Sequence, residues 1–234
     1  MCPLAPLAGK GSFRSLALFW LAVELLLPAP VLAQSWEPVL REDNLQIYRR
    51  AYPGSPLQEI RGVTRVEASL NALMALLKDA DFNRQWVYRS GGARILDEEG
   101  YARAYVYGIV DAPWPMQDRD TVVRFDYSQD ADSAEITIKI ENFPDYIPSD
   151  GRYVRVPDFG GFWALRPRAD GWVEVTYQVY GDPGGWVPVW VANFAAVTSV
   201  TRTLQNMGDA VQQYQAAQSP YVKELPSVAE SAKP

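Results

Sequence analysis

No histidine occurs in the 234 residues, and the single cysteine is Cys2. The first absence removes the usual general base near neutral pH, the commonest metal ligand, and every Ser-His-Asp or Cys-His device. The second leaves the rest of the chain without a thiolate nucleophile, a disulfide or the ordinary zinc site. Positive charge is scarce too. The 22 Lys and Arg stand against 28 Asp and Glu, a net charge of −6. A chain of that sign gains little from the bulk attraction that draws proteins to nucleic acid or anionic head groups. After Ala33, no stretch approaches the roughly 20 apolar residues of a membrane span. What is present is an ordinary globular composition, 48% hydrophobic and 21% charged, with 12% aromatic residues.

The N-terminus has the three parts of a secretory signal. Lys10 and Arg14 supply the positive region, and Ser15–Leu27 is apolar apart from Glu24. Pro28 and Pro30 break the helix before Val31-Leu32-Ala33, whose small residues fit a cleavage site between Ala33 and Gln34. The alternative is an uncleaved anchor over Ser15–Ala33; Glu24 and the two prolines stand against it. Cys2 precedes the apolar run instead of marking the cleavage site, so this is not a lipoprotein signal. An exported chain left without cysteine suits a bacterial periplasm, where disulfides are permitted but not required. The expected organisation is a signal peptide over residues 1–33, one folded domain over 34–214, and a tail over 215–234. That tail is polar, proline-bearing and aperiodic, and reads as disordered.

Strand patterns dominate the middle of the chain. Leu45–Tyr52 and Leu57–Ala68 alternate around the turn Pro53-Gly54-Ser55-Pro56. Leu70, Leu73, Met74 and Leu77 then recur at helical spacing behind Ser69 as N-cap, and Asp81–Tyr88 suggests a second short helix. Strand-like runs follow at Ala93–Asp97, Tyr101–Val110, Thr121–Tyr127, Ala134–Glu141, Tyr153–Val156, Gly161–Arg166 and Trp172–Tyr180. After Gly181-Asp182-Pro183-Gly184-Gly185 the period changes, and Val187–Tyr214 reads as one long helix. Its apolar face carries Trp190, Phe194, Val197, Val200, Thr201 and Leu204. Strands, a helix, many strands and a long closing helix predict an α+β fold with an antiparallel sheet packed on the last helix.

The chemical inventory is thin. Asp118/Asp120 and Asp130/Asp132 are spaced i, i+2, but no loop has the glycine and distal glutamate of a calcium site. Gly184-Gly185 lacks the spacing of a nucleotide fingerprint, and the serines have no neighbouring base. The aromatic content is what remains to be explained. Tyr101, Tyr105 and Tyr107 have one parity of one strand, and so are expected on one face of the sheet, in a packed core or a cavity wall.

Two blocks carry a resemblance. Ala112–Val122 (APWPMQDRDTV) is similar to the loop-and-strand signature of START lipid-transfer domains, a proline-aromatic-proline turn leading into Arg-Asp. Gly181–Asn193 (GDPGGWVPVWVAN) resembles the same family's approach to its C-terminal helix, and the two stand in the expected order. The resemblance covers the chain from about Leu45 to Tyr214. It implies a helix-grip fold, a curved antiparallel sheet wrapped around the long C-terminal helix and enclosing a hydrophobic tunnel. Members that bind sterols often carry a buried Glu–Arg pair, and ungapped counting places Val106 and Phe125 at those two positions here. Losing both charges together is coherent, since apolar packing replaces a buried pair at little cost. Thr121 stands where the family usually has an aromatic residue, and Arg124 has the wrong parity to replace the missing arginine without a bulge.

The expected ligand wall is therefore Tyr105, Val106, Tyr107 and Phe125 from the sheet, with Trp190, Phe194, Val197 and Thr201 from the helix. The loop Pro113-Trp114-Pro115-Met116 is read either as a fixed plug or as a gate whose apolar tips touch the membrane during exchange. The function expected is binding of one lipid or sterol-like molecule, carried or sensed in the periplasm by a monomer, with no cofactor, metal or nucleic acid. The alternative is a cyclase or hydrolase of the wider helix-grip superfamily, which would have to rely on buried Asp, Glu or Tyr.

Overall fold

The computed structural model describes residues 35–225. The expected signal peptide and its cleavage site lie outside the described residues. Ten strands and three α-helices follow in the order β1 (Glu37–Arg41), β2 (Leu45–Ala51), β3 (Gln58–Glu67), α1 (Leu70–Lys78), α2 (Asn83–Trp86), β4 (Ser90–Glu99), β5 (Arg103–Val110), β6 (Arg119–Gln129), β7 (Ile136–Asn142), β8 (Val154–Arg155), β9 (Asp158–Pro167), β10 (Trp172–Asp182) and α3 (Val189–Ala210). One 3-10 turn, Val211–Tyr214, prolongs α3. The helix and strand patterns read from the sequence are recovered, with two differences. Strand β1 had no alternating signal of its own, and β4, β6, β9 and β10 run on past the alternating stretches because pairing satisfies backbone groups at their ends, whereas β2, β3, β5 and β8 stop within them.

The sheet order is β1-β2-β3-β10-β9-β7-β6-β5-β4, antiparallel throughout, with β8 pairing parallel to the start of β6. Alternation decides which face is inside. On β3 the inner set is Ile60, Gly62, Thr64 and Val66; on β7 it is Ile136, Ile138 and Ile140. Helix α3 closes the concave side and packs mainly with its second half, where Val200, Thr203, Leu204 and Met207 are buried. It comes close enough to β3 that a Cβ on Gly62 would lie 2.3 Å from Leu204 Cδ1 and 2.8 Å from Val200 Cγ1. Only a residue without a side chain fits beneath the helix there.

Helix α1 blocks one end of the sheet. The Ser69 hydroxyl accepts from Ala72 N, and the Glu224 carboxylate accepts from Leu70 N (3.1 Å) and Asn71 N (2.8 Å). Those three N–H groups have no intrahelical partner, and a carboxylate suits the positive end of a helix. The tail expected to be disordered from residue 215 is thus placed against the domain through Leu225. Val222 is buried, Tyr221 stacks on Tyr101 at 4.7 Å, and Lys223 N and O bond the Gln129 side-chain amide. Polar composition hid this, because the segment is held by hydrogen bonds and one apolar contact, not by periodic burial. No described helix is long and apolar enough to cross a membrane.

Candidate functional site: a hollow and its open end

Inward-facing side chains of the sheet fall into two groups. Those on β7 and β9 are sealed, with Ile136, Ile138, Ile140, Trp163 and Leu165 all buried. On β5 and β6 the inner face is mixed: Ala104 and Val123 are buried, whereas Val106, Phe125 and Tyr127 pack against the core yet keep accessible surface. Tyr177 of β10 also faces inward, stacked on Trp163 at 3.8 Å, and also keeps some. Side chains that point inward but stay accessible border a space the core does not fill. Burial pushes the phenols of Tyr127 and Tyr177 up from their ordinary pKa, so both remain neutral donors in an apolar wall. Tyr127 shares the parity of Phe125, and Tyr177 that of Val173 and Val175, so strand alternation could have found both.

Helix α3 meets this space differently from the expectation. The buried stripe is centred on Val200 and Met207, and at about 100° per residue Trp190 and Phe194 lie roughly a quarter to a third of a turn away. They are 74% and 69% exposed. Val197 packs on the core beside this stripe, and Thr201, half-buried, donates its hydroxyl back to Val197 O at 2.8 Å. The flank turned toward β4 is identified by Thr203, whose hydroxyl accepts from Tyr88 N. Ala192 and Ala196 share that flank, and Ala196 packs on the core while keeping some accessible surface. The apolar periodicity was read correctly as a helix, but apolar residues cover both the core side and an exposed flank. Period alone does not separate the two.

The tyrosine face also divides. Tyr101 sits near the closed end with Tyr127, and the Lys78 ammonium lies 4.5 Å and 4.1 Å from their ring centroids. Burial pushes the Lys78 pKa down, against the pull of Glu98 at 3.8 Å. Tyr105 and Tyr107 point the other way, because pairing with Arg124 and Val122 sets them on the face opposite Val106. There Tyr105 stacks on Tyr146 at 4.3 Å. Tyr107 borders an outer cleft of about 430 Å³ with Ile109, Arg94, Asp150 and Tyr153. Burial, then the neighbouring Asp120 charge, pushes the Tyr107 phenol up to about 12. This cleft has a mixed lining, Ile109, Ile147 and Pro148 beside Arg94, Asp150 and Arg155, and lies on the face opposite Val106. The assignment of Tyr105 and Tyr107 to the ligand wall is corrected accordingly, while Val106 and Phe125 stand on the inner face.

The junction between the Pro113–Met116 loop and the approach to α3 is built on the Arg119-Asp120 pair, whose roles spacing alone did not reveal. Buried Arg119 donates to Gln117 O (2.5 Å) and to Pro183 O (3.4 Å), tying the Pro113–Met116 loop to the segment leading into α3. Asp118 closes the base of the loop by accepting from Ala112 N. Asp120 forms a two-point pair with Arg155, both bonds 3.0 Å, with side chains 2% and 13% exposed. Gly184 and Gly185 turn the chain into α3 with φ of +67° and +64°, a region that favours glycine. Around this junction the apolar tips stand free: Trp114 is 92% exposed and Trp186 88%. Met116 is half-buried. Among the described residues no three His, Cys, Asp or Glu side chains cluster as a metal site.

A large curved antiparallel sheet closed by a long C-terminal helix defines the helix-grip class. A scan against models of known protein families finds no match. A STAR-related lipid transfer protein fragment from Xanthomonas axonopodis, solved by crystallography, is 35% identical, with a TM-score of 0.71 over 76% of this chain and 99% of that one. An uncharacterized Pseudomonas aeruginosa protein, PA1579, is 34% identical over 181 residues, 77% of this chain and 89% of its own. The Homo sapiens phosphatidylcholine transfer protein is 24% identical over 200 residues, 84% and 92% of the two chains. Human STARD10, at 17% identity and a TM-score of 0.66 over 76% and 74% of the chains, shares the fold. The chain belongs to the START (StAR-related lipid-transfer) family.

Proposed function

We propose that this protein binds one lipid or sterol-like molecule in the hollow between β5, β6, β10 and α3 and carries it between membranes in the periplasm. The observation that carries the reading is the set of inward yet accessible side chains, Val106, Phe125, Tyr127 and Tyr177. An apolar ligand entering such a space sheds its water contact at roughly 25 cal/mol per Å². The names of the Xanthomonas and human relatives support lipid as the ligand class and transfer as the activity. The leader supports export, and the Pro113–Met116 loop, joined to the α3 approach through Arg119, is the gate. The named lining is apolar or phenolic and supplies no nucleophile, which favours a carrier over an enzyme. Native mass spectrometry of protein purified from the periplasm tests this. A co-purifying lipid, unchanged on incubation and lost on delipidation, is the expected result. Empty protein under those conditions, or conversion of the bound lipid, overturns it.

A further inference from the structure

The cleft of about 430 Å³ on the outer face of β4, β5 and β6 has no part in the carrier reading, since the sheet separates it from Val106. Its floor is Arg94 of β4 with Tyr107 and Ile109 of β5, and its wall is formed by Ile147, Pro148 and Tyr153. That wall is fastened to the sheet. Arg155, joined to Asp120 by two bonds of 3.0 Å, also donates to the carbonyls of Pro144 and Ile147. Tyr146 stacks on Tyr105 at 4.3 Å, and the Gln117 amide donates to Arg152 O at 2.7 Å. Small-molecule sites are mostly preformed and span roughly 300–1,000 Å³, which this cleft satisfies on both counts. Its charges do not cancel. Asp120 is matched by Arg155, and Asp150 by Arg152 at 2.7 Å. Arg94 has neither an ion pair nor a hydrogen bond among the described residues, and its guanidinium lies over the Tyr107 ring, 4.9 Å from the centroid. Stacking of this kind fixes the plane of a guanidinium and leaves its N–H groups free for a planar acceptor.

We propose that this cleft is a second binding site, for a small aromatic carboxylate. Arg94 takes the carboxylate at two points, and the flat body of the ligand lies against the tyrosine rings and the Ile147-Pro148 wall. A monoanion matches the single unmatched cation of the lining. A phosphate monoester carries nearly two charges at neutral pH, and the second would face Asp120 and Asp150 with no cation left to meet it. An uncharged ring would leave the Arg94 guanidinium unused. The Tyr107 phenol, held up to about 12 by burial and then by the Asp120 charge, stays neutral and adds no further charge to the floor. The site stands or falls independently of the carrier, because it and the proposed lipid space lie on opposite faces of β5.

Titration of the purified protein with cinnamate, and with its uncharged counterpart cinnamamide, tests the proposal when backbone amide shifts are followed by NMR. The expected result is saturable, one-site binding of cinnamate that moves the amides of residues 92–94, 107–109 and 147–153 and leaves those of α3 still. Cinnamamide should bind about tenfold more weakly or worse, the loss of a charge-assisted two-point bond. Arg94→Gln should weaken cinnamate by the same factor and leave cinnamamide unchanged, while Arg94→Lys should keep part of the preference for the acid. Arg94 is exposed, so both variants should retain the thermal midpoint and the lipid content of the parent. Equal binding of acid and amide overturns the proposal, as does the absence of saturation. So does Arg94→Gln protein that holds cinnamate as tightly as the parent. Shifts confined to α3 and to the inner residues Val106 and Phe125 would put the probe in the proposed lipid space and overturn the second site. Tighter binding of phenyl phosphate than of cinnamate overturns the carboxylate assignment.

Discussion

At the scale of single residues, the molecule separates side chains that shape the hollow from those that hold its frame. Ala196 belongs to the first kind. Its methyl group lies on the helix flank shared with Thr203, where a large ring would enter the proposed ligand space without displacing the Val200–Met207 stripe. Ala196→Trp is expected to abolish lipid retention in native mass spectrometry while circular dichroism stays that of the parent. Phe194→Ser, on the exposed flank, should keep the lipid. The reverse pattern would return Phe194 to the wall and place Ala196 in the core. Asp120 belongs to the second kind. Its removal leaves the Arg155 guanidinium buried with only the carbonyls of Pro144 and Ile147 for partners. Asp120→Ala should cost about 3–5 kcal/mol, as stranded buried charges do. Urea unfolding measures it, and a loss below about 1 kcal/mol would mean that water reaches Arg155.

Elements are held by contacts that sequence-distant segments supply. The first turn of α1 is capped from within by Ser69 and from 154 residues away by Glu224, whose two oxygens take Leu70 N and Asn71 N. Glu224→Ala should destabilise the fold by about 1–2 kcal/mol, in the range of lost N-caps. Amide exchange should quicken in α1 and leave β7 and β9 unchanged. If α1 keeps its protection, the tail rests on the helix without stabilising it. The outer face of β5, β6 and β7 carries a second device, a row of charges through Arg103, Asp126, Arg124, Glu141 and Lys139. Burial alone would raise the Asp126 carboxyl, but the Arg103 and Arg124 guanidiniums hold it below the usual carboxylate range. Lys139, then Arg124, does the same for Glu141 against partial burial. These depressed groups contribute stability that is present above their unfolded pKa, and lose it as pH falls through the folded values. With no histidine to titrate, the thermal midpoint should stay nearly level from about pH 6 to 8 and fall below about pH 4. A step near pH 6.5 would point to a different titrating group.

For the whole molecule, the two ends have opposite characters. The α1 end is closed by the Ser219–Leu225 segment, Tyr101, Tyr127 and the half-enclosed Lys78. At the other end Arg119 ties two loops together, and their tryptophans stand in water. Under the proposed carrier function, traffic is a rate set by how fast the Pro113–Met116 loop parts from the α3 approach. Trp114→Ser/Trp186→Ser is therefore expected to slow transfer of a fluorescent lipid between phosphatidylcholine vesicles by about tenfold or more, the loss of two interfacial anchors. Equilibrium lipid content should not change. Unaltered transfer with intact folding would locate the exchange path elsewhere.

Alternation and helical period were sufficient, read from the chain alone, for the strands after β1, for α1 with its Ser69 cap and for the long closing helix. They act between neighbours, and neighbours are what a sequence displays. The two motif blocks also pointed to the START family, because Pro-Trp-Pro and Asp-Pro-Gly-Gly mark turns whose backbone needs those residues. Which residues face the hollow was decided only by tertiary structure. Tyr105 and Tyr107 differ from Val106 by one position, and the direction each takes depends on which face of β5 the helix covers. Trp190 and Phe194 belong to a periodic apolar face, and whether such a flank meets core, ligand or water depends on how the helix is rotated against the sheet. That rotation is set by Gly62 beneath Val200 and Leu204, by Thr203 against Tyr88, and by Asn206 against Trp86. The ordering of residues 215–225 has the same origin. Glu224 meets α1 only after the whole sheet has brought them together, and no local pattern records a contact made across that distance.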